Sequence, residues 1–162
     1  FVNKFHHSFS KICSKKKIKL IINNDFEIAS EFFFDGIHLG QSDKSCVEAK
    51  EKFGLDFLVG ISCSNSYNFY KIAKNDGANY IAFGPAFESK HKEKEKIDLL
   101  QFSKIISKIK LPFVFIGGIN HNNVENLSCF KPNYIAIIDS LWNFKLGPIR
   151  SALKFRESLE AL

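Results

Sequence analysis

The chain has 162 residues, 45% of them hydrophobic and 25% charged, an ordinary balance for one soluble globular domain. Its formal net charge of +6 suits an anionic ligand. Nucleic acid is not expected as a partner: Lys15-Lys16-Lys17 lies far from the charged run 90–96, Glu93 and Glu95 interrupt that run, and no basic–aromatic recognition motif accompanies them. No apolar run approaches the roughly 20 residues that span a bilayer, and "FVNKFHHSFSKIC" lacks the long apolar core of a signal peptide. Cys13, Cys46, Cys63 and Cys129 form neither a CxxC pair nor a zinc spacing. A reduced, cytoplasmic protein with buried thiols and no membrane partner is therefore expected.

In chain order, a helix comes first, with Val2, Phe5, Phe9 and Ile12 at helical spacing. Six short apolar runs follow: "IKLIINND", "DGIHLGQSD", "DFLVGISCS", "YIAFGPAF", "PFVFIGGIN" and "YIAIIDS". Each is too short for a helix and ends in small or polar residues, the pattern of strands buried on both faces of a parallel sheet. Helical periodicity fills the gaps. Ile28, Ala29, Phe32 and Phe33 share a predicted face. Val47, Ala49, Lys50 and Phe53 do so before Gly54, and Phe69, Ile72 and Ala73 before Gly77. Leu99, Phe102, Ile105, Ile106 and Ile109 make the clearest stripe, ending before Pro112. Asn122, Val124 and Leu127 suggest a short helix, and Ile149, Leu153, Arg156 and Leu159 a final one.

Six strand–helix alternations without a dinucleotide fingerprint point to an α/β fold, either a doubly wound sheet or a TIM (β/α)8 barrel. The barrel needs eight strands, and the first residue, Phe1, already lies within a helical pattern. The expectation is one barrel domain over residues 1–162 that lacks its first strand, first helix and second strand.

The segments "LIINND", "DGIHLGQSD", "LVGISCS", "YIAFGPAFESKHK", "FVFIGGIN" and "YIAIIDSLWN", in this order and spacing, resemble thiamine-phosphate synthase from about Lys19 to the C-terminus. The resemblance implies a TIM barrel that joins hydroxymethylpyrimidine pyrophosphate to a thiazole phosphate with Mg²⁺, releasing pyrophosphate. It implies small-molecule substrates and leaves a homo-oligomer open. The active face of such a barrel is the C-terminal end of its strands.

Residue by residue, Asp43 matches a family Mg²⁺ ligand, although on its own Asp43 or Ser42 equally suits a helix cap. Asn24 stands where the family has its other metal-binding aspartate, with Asp25 beside it as a substitute ligand or a cap. Asn23 matches an asparagine that contacts the pyrimidine. Ser62 matches a residue near the pyrimidine pyrophosphate, and Lys92 a lysine that steadies the departing pyrophosphate; these two are the implied catalytic residues. Ser89, Lys90 and His91 occupy the segment that grips the thiazole phosphate, with His91 replacing a threonine. Gly117 and Gly118, followed by Ile138 and Asp139, match the phosphate end, where backbone N–H groups bind an anion. A carboxylate at Asp139 would repel a phosphate unless it points away. His38 suits a structural role at least as well as a catalytic one. The family's Gln–Arg–Lys pyrophosphate cluster belongs to its second strand, and these 162 residues show no match to it, so on this reading the chain alone would be inactive. Two other readings are a thiazole tautomerase-like isomerase of the same fold and a non-catalytic phosphate-binding remnant.

Overall fold

The computed structural model describes residues 2–88 and 96–160. The elements are α1 (Val2–Lys16), β1 (Ile21–Asn23), α2 (Phe26–Glu31), β2 (Gly36–Leu39), α3 (Cys46–Phe53), β3 (Leu58–Ser64), α4 (Tyr67–Asn75) and β4 (Tyr80–Phe83). After these come α5 (Leu99–Ile105), β5 (Phe113–Ile116), β6 (Tyr134–Ala136), α6 (Asp139–Trp142) and α7 (Gly147–Glu160), with 3₁₀ turns at Ile106–Lys108 and Val124–Phe130. The strands follow one another in a single sheet in the order β1-β2-β3-β4-β5-β6. All six apolar runs are therefore strands of an α/β fold. Among the described residues no helix is long and apolar enough to cross a membrane.

The chain divides into two compact units, residues 1–63 with 68–81, and 64–67 with 82–162. In the first unit β1 pairs in parallel with β2 (Asn23 opposite His38), and β2 with β3 (His38 opposite Gly60, Leu39 opposite Ile61). Ile37, Leu39, Val59, Ala49 and Tyr70 are fully or nearly fully buried. Asp25 caps α2 by accepting from the Glu27 and Ile28 amides, and Ser45 with Glu48 forms a reciprocal capping box on α3. In the second unit β5 pairs in parallel with β6. Phe102 reaches from α5 to Phe83, Phe113, Phe115 and Phe130, with ring centroids 4.9 to 6.1 Å apart. These are offset and edge-on contacts of the kind aromatic quadrupoles favour.

Several helices bury a different face from the predicted one. Helix α2 stops at Glu31 and inserts Phe26 and Ala29, while Phe33 is 71% exposed. Helix α4 inserts Tyr70 and Ala73 rather than Phe69 and Ile72. Helix α7 inserts Ser151 and Phe155, and Ile149 is exposed. Ser151 can be fully buried because its hydroxyl donates to the Ser140 carbonyl at 2.7 Å and meets His121 Nε2 at 3.1 Å. Of the stripe at α5 only Phe102 is fully buried; Leu99, Ile105, Ile106 and Ile109 are half-buried, and the helix tightens to 3₁₀ at Ile106. Of the four thiols, Cys46 and Cys63 are buried, Cys13 is half-buried and Cys129 exposed.

One device recurs at the N-terminal ends of the strands. An Asp or Asn just before β2, β4 and β6 pairs its own amide with a carbonyl at or beside the start of an earlier strand and returns a side-chain oxygen to that same residue's amide. The pairs are Asp35 with Leu20, Asn79 with Val59 and Asn133 with Phe113. Asn79 also accepts from Lys50 Nζ, which in turn donates to the Leu55 and Phe57 carbonyls.

At Asp35 the hydrogen bond from Lys19, then that from the Leu20 amide, holds the carboxyl below its usual range, against the opposing effect of burial. A depressed folded-state value means that the unfolded chain binds the proton more readily. The stabilisation is thus complete above about pH 5 and is lost as pH falls through the folded value. In urea titrations between pH 5 and 2.5, Asp35→Asn is expected to flatten part of this decline.

Candidate functional site

In the first unit the polar strand ends gather around His38. Side chains alternate along a strand, so His38 on β2 and Gly60 and Ser62 on β3 look to one face. Gly60 is required there: a Cβ would lie 2.0 Å from Tyr80 Cζ, so only glycine lets the phenol ring lie over this strand. The ring of Tyr80 then sits 5.5 Å from that of His38, with its hydroxyl 3.0 Å from Nδ1. His38 Nε2 lies 2.9 Å from Ser62 Oγ. Gln41 Nε2 donates to the Ser62 carbonyl at 2.6 Å, fixing the backbone of the same residue.

Burial lowers the His38 imidazole below its ordinary value, partly offset by the Asp43 charge, so the ring is neutral at pH 7. Burial likewise pushes the Tyr80 phenol up to about 12, which keeps it protonated. Cys63, beside Ser62, is raised to about 12 by burial and is not a thiolate nucleophile.

Asp43 stands one turn after β2 and accepts from the Gly40 amide at 2.6 Å through Oδ2, which orients its carboxylate. It does not cap α3, since Ser45 does. Asn24 adopts a left-handed conformation at φ 51° and its amide donates to the His38 carbonyl at 2.8 Å, so it follows directly on the paired end of β1. Asn23, the last residue of β1, is exposed. Asp25 uses Oδ1 for its cap, accepting there from both the Glu27 and Ile28 amides. The structure thus brings Asn23, Asn24, Asp43 and Ser62 to the C-terminal ends of three adjacent strands. Among the described residues no group of three or more His, Cys, Asp or Glu is placed to hold a metal.

In the second unit the loop after β4 is held against the end of β5. Ala86 N donates to the Ile116 carbonyl at 2.8 Å, Phe87 N to Gly117 O at 3.1 Å and Ile97 N to Pro85 O at 2.8 Å. Gly117 (φ 85°) and Gly118 (φ 67°) make this approach feasible: a Cβ on Gly118 would lie 2.4 Å from the Glu88 carbonyl oxygen. Asn120 and Asn123 both donate to the Gly118 carbonyl. Ser89, Lys90, His91 and Lys92 lie outside the described residues.

Ile138 is exposed and precedes α6, whose Ser140 hydroxyl donates to the Ile119 carbonyl. The Asp139 carboxylate accepts from Asn143 Nδ2 at 2.7 Å, one helical turn on. Tyr80 and Gln41 were not singled out from sequence. The tyrosine reads there as ordinary strand filler, and its partners depend on a register that only the fold supplies.

The family model described as thiamine monophosphate synthase matches residues 3–141. Thiamine-phosphate synthase of Pelagibacter ubique is 42% identical over 136 residues, which are 83% of this chain and 65% of that protein. The enzyme of Methylobacillus flagellatus is 34% identical over 132 residues, 81% of this chain and 63% of that protein. The chain therefore spans a little under two thirds of the length of these curated relatives. The solved structure of thiamine phosphate pyrophosphorylase from Pyrococcus furiosus superposes with a TM-score of 0.82, covering 93% of this chain and 72% of that one at 24% identity, which shows the shared fold. From the family model and these relatives together, the chain belongs to the thiamine monophosphate synthase family.

Proposed function

We propose that the protein bearing this chain is a thiamine-phosphate synthase, joining hydroxymethylpyrimidine pyrophosphate to a thiazole phosphate, and that its six consecutive strands belong to a (β/α)8 barrel. The observation carrying this reading is that family-matched Asn23, Asp43 and Ser62 stand together at the C-terminal ends of β1 to β3, while the recurring structural Asp and Asn residues occupy the opposite ends.

In the reaction, the thiazole nitrogen forms a bond to the exocyclic methylene of the pyrimidine. The methylene–oxygen bond breaks, and its electron pair leaves with pyrophosphate. Little proton transfer is needed, so the residues bind, align and neutralise charge. Asn23 offers the pyrimidine an amide donor and acceptor. Ser62 donates its hydroxyl to the pyrophosphate, and Lys92 adds a positive charge there. The backbone at Gly117 and Gly118, with residues 89–91 and Ile138, takes the thiazole phosphate. Asp139 is turned toward Asn143, which moderates its repulsion of that phosphate.

The residues fit a hard cation that arrives mostly coordinated by the substrate. Asp43 has one oxygen fixed by Gly40, leaving the other for a metal, and Asn24 offers a neutral amide oxygen. Mg²⁺, when bound, would offset the charge of the leaving pyrophosphate.

The test is formation of thiamine phosphate by the protein at its full natural length, from both substrates with Mg²⁺. Product that requires both substrates is expected. Isomerisation of the thiazole without any use of the pyrimidine would replace this reading with the tautomerase one.

A further inference from the structure

Ser62 is useful as a pyrophosphate contact only if its hydroxyl hydrogen points outward. A serine hydroxyl has one hydrogen, and His38 Nε2 lies 2.9 Å from Oγ. Were Nε2 the acceptor, that hydrogen would be spent on the ring, and the site would offer an anion only lone pairs. The answer depends on the histidine tautomer, and the tautomer depends on the group at Nδ1, which is the Tyr80 hydroxyl at 3.0 Å.

The two hydroxyls are not equivalent. A phenol is the better donor and the poorer acceptor, because its oxygen lone pair is delocalised into the ring. An aliphatic hydroxyl is the better acceptor of the two. With a neutral imidazole between them, the favoured chain therefore runs from the Tyr80 O–H to Nδ1, and from Nε2–H to Ser62 Oγ.

We propose that Tyr80 and His38 are positioning residues: the phenol sets the Nε2–H tautomer of His38, which directs the Ser62 hydroxyl hydrogen away from the protein, toward an oxyanion. Gly60 is part of this device, since any side chain there would displace the Tyr80 ring. So is Gln41, which holds the Ser62 backbone at 2.6 Å while the imidazole holds its side chain. The inference rests on the reading of Ser62 as a pyrophosphate contact, but the tautomer is a property of the protein without substrate.

The test has two arms. Long-range nitrogen–proton spectra of the histidine-labelled full-length protein at neutral pH should show His38 with its proton on Nε2, and Tyr80→Phe should shift the population toward the other tautomer. A proton on Nδ1 in the unmodified protein overturns the proposal. In the second arm, affinity for inorganic pyrophosphate is measured by calorimetry. His38→Leu should weaken it about tenfold, the scale of one hydrogen bond to a charged group, and His38→Gln, whose amide can still donate to Oγ, should recover much of that loss. Equal affinities for the leucine and glutamine variants, both folded by circular dichroism, overturn it too. Neither arm requires synthase activity, so a protein that forms no thiamine phosphate would sink the functional reading while leaving this device to stand or fall on its own results.

Discussion

Lys92→Ala is expected to lower turnover about 100- to 1,000-fold, the usual cost of removing one preorganised electrostatic partner from a developing anion. The physical reason is the nature of the step. Pyrophosphate leaves with an electron pair, so negative charge on the oxygen released from the methylene grows toward the transition state, and an ammonium there stabilises that state more than the bound substrate. The loss should therefore fall on kcat rather than on the KM for the thiazole phosphate. The thermal midpoint of unfolding should not move, because Lys92 stands in a run of charged and polar residues that offers no apolar side chain for burial. Steady-state kinetics beside a thermal melt separate the two effects. Unchanged turnover removes Lys92 from the chemistry.

Gly118→Ala should have the largest effect on structure. At φ 67° an alanine pays about 1–2 kcal/mol for the left-handed conformation alone. Its methyl would also lie 2.4 Å from the Glu88 carbonyl and 2.6 Å from that of Phe87. These are backbone atoms, and Phe87 is itself bonded to Gly117, so the loop must separate from the end of β5. A total destabilisation of about 3 kcal/mol or more is expected, by denaturant titration. Affinity for the thiazole phosphate should fall with it, since the same loop leads into residues 89–92. A variant as stable as the parent would show that the loop is not held by this contact.

The sheet was legible because strands buried on both faces must be apolar at successive positions, and "LVGISC" or "YIAF" cannot be read as an amphipathic helix of useful length. The candidate residues came from the family resemblance, and the runs add only that Asn23, Asn24 and Ser62 stand at or near the polar tips of strands. Helix faces were less legible. Tyr70 and Ser151 are not among the residues the periodicity assigns to a helix face, whereas the structure buries both, Ser151 behind a satisfied hydrogen bond. The His38 cluster was hidden for a different reason. Its partners lie 24 and 42 residues away, and only the sheet order β2-β3-β4 brings them together. Gly60 carries the missing signal, because a glycine inside a strand marks a close approach, here by an aromatic ring.

The most direct test is a crystal structure of the full-length protein with thiamine phosphate, pyrophosphate and Mg²⁺. The account predicts pyrophosphate in contact with Ser62 Oγ, a metal ion on Asp43, and the thiamine phosphate group against the backbone amides at Gly117 and Gly118. Products bound instead at the Asp35 and Asn79 ends of the strands, or ordered only on the exposed lysines, would contradict it.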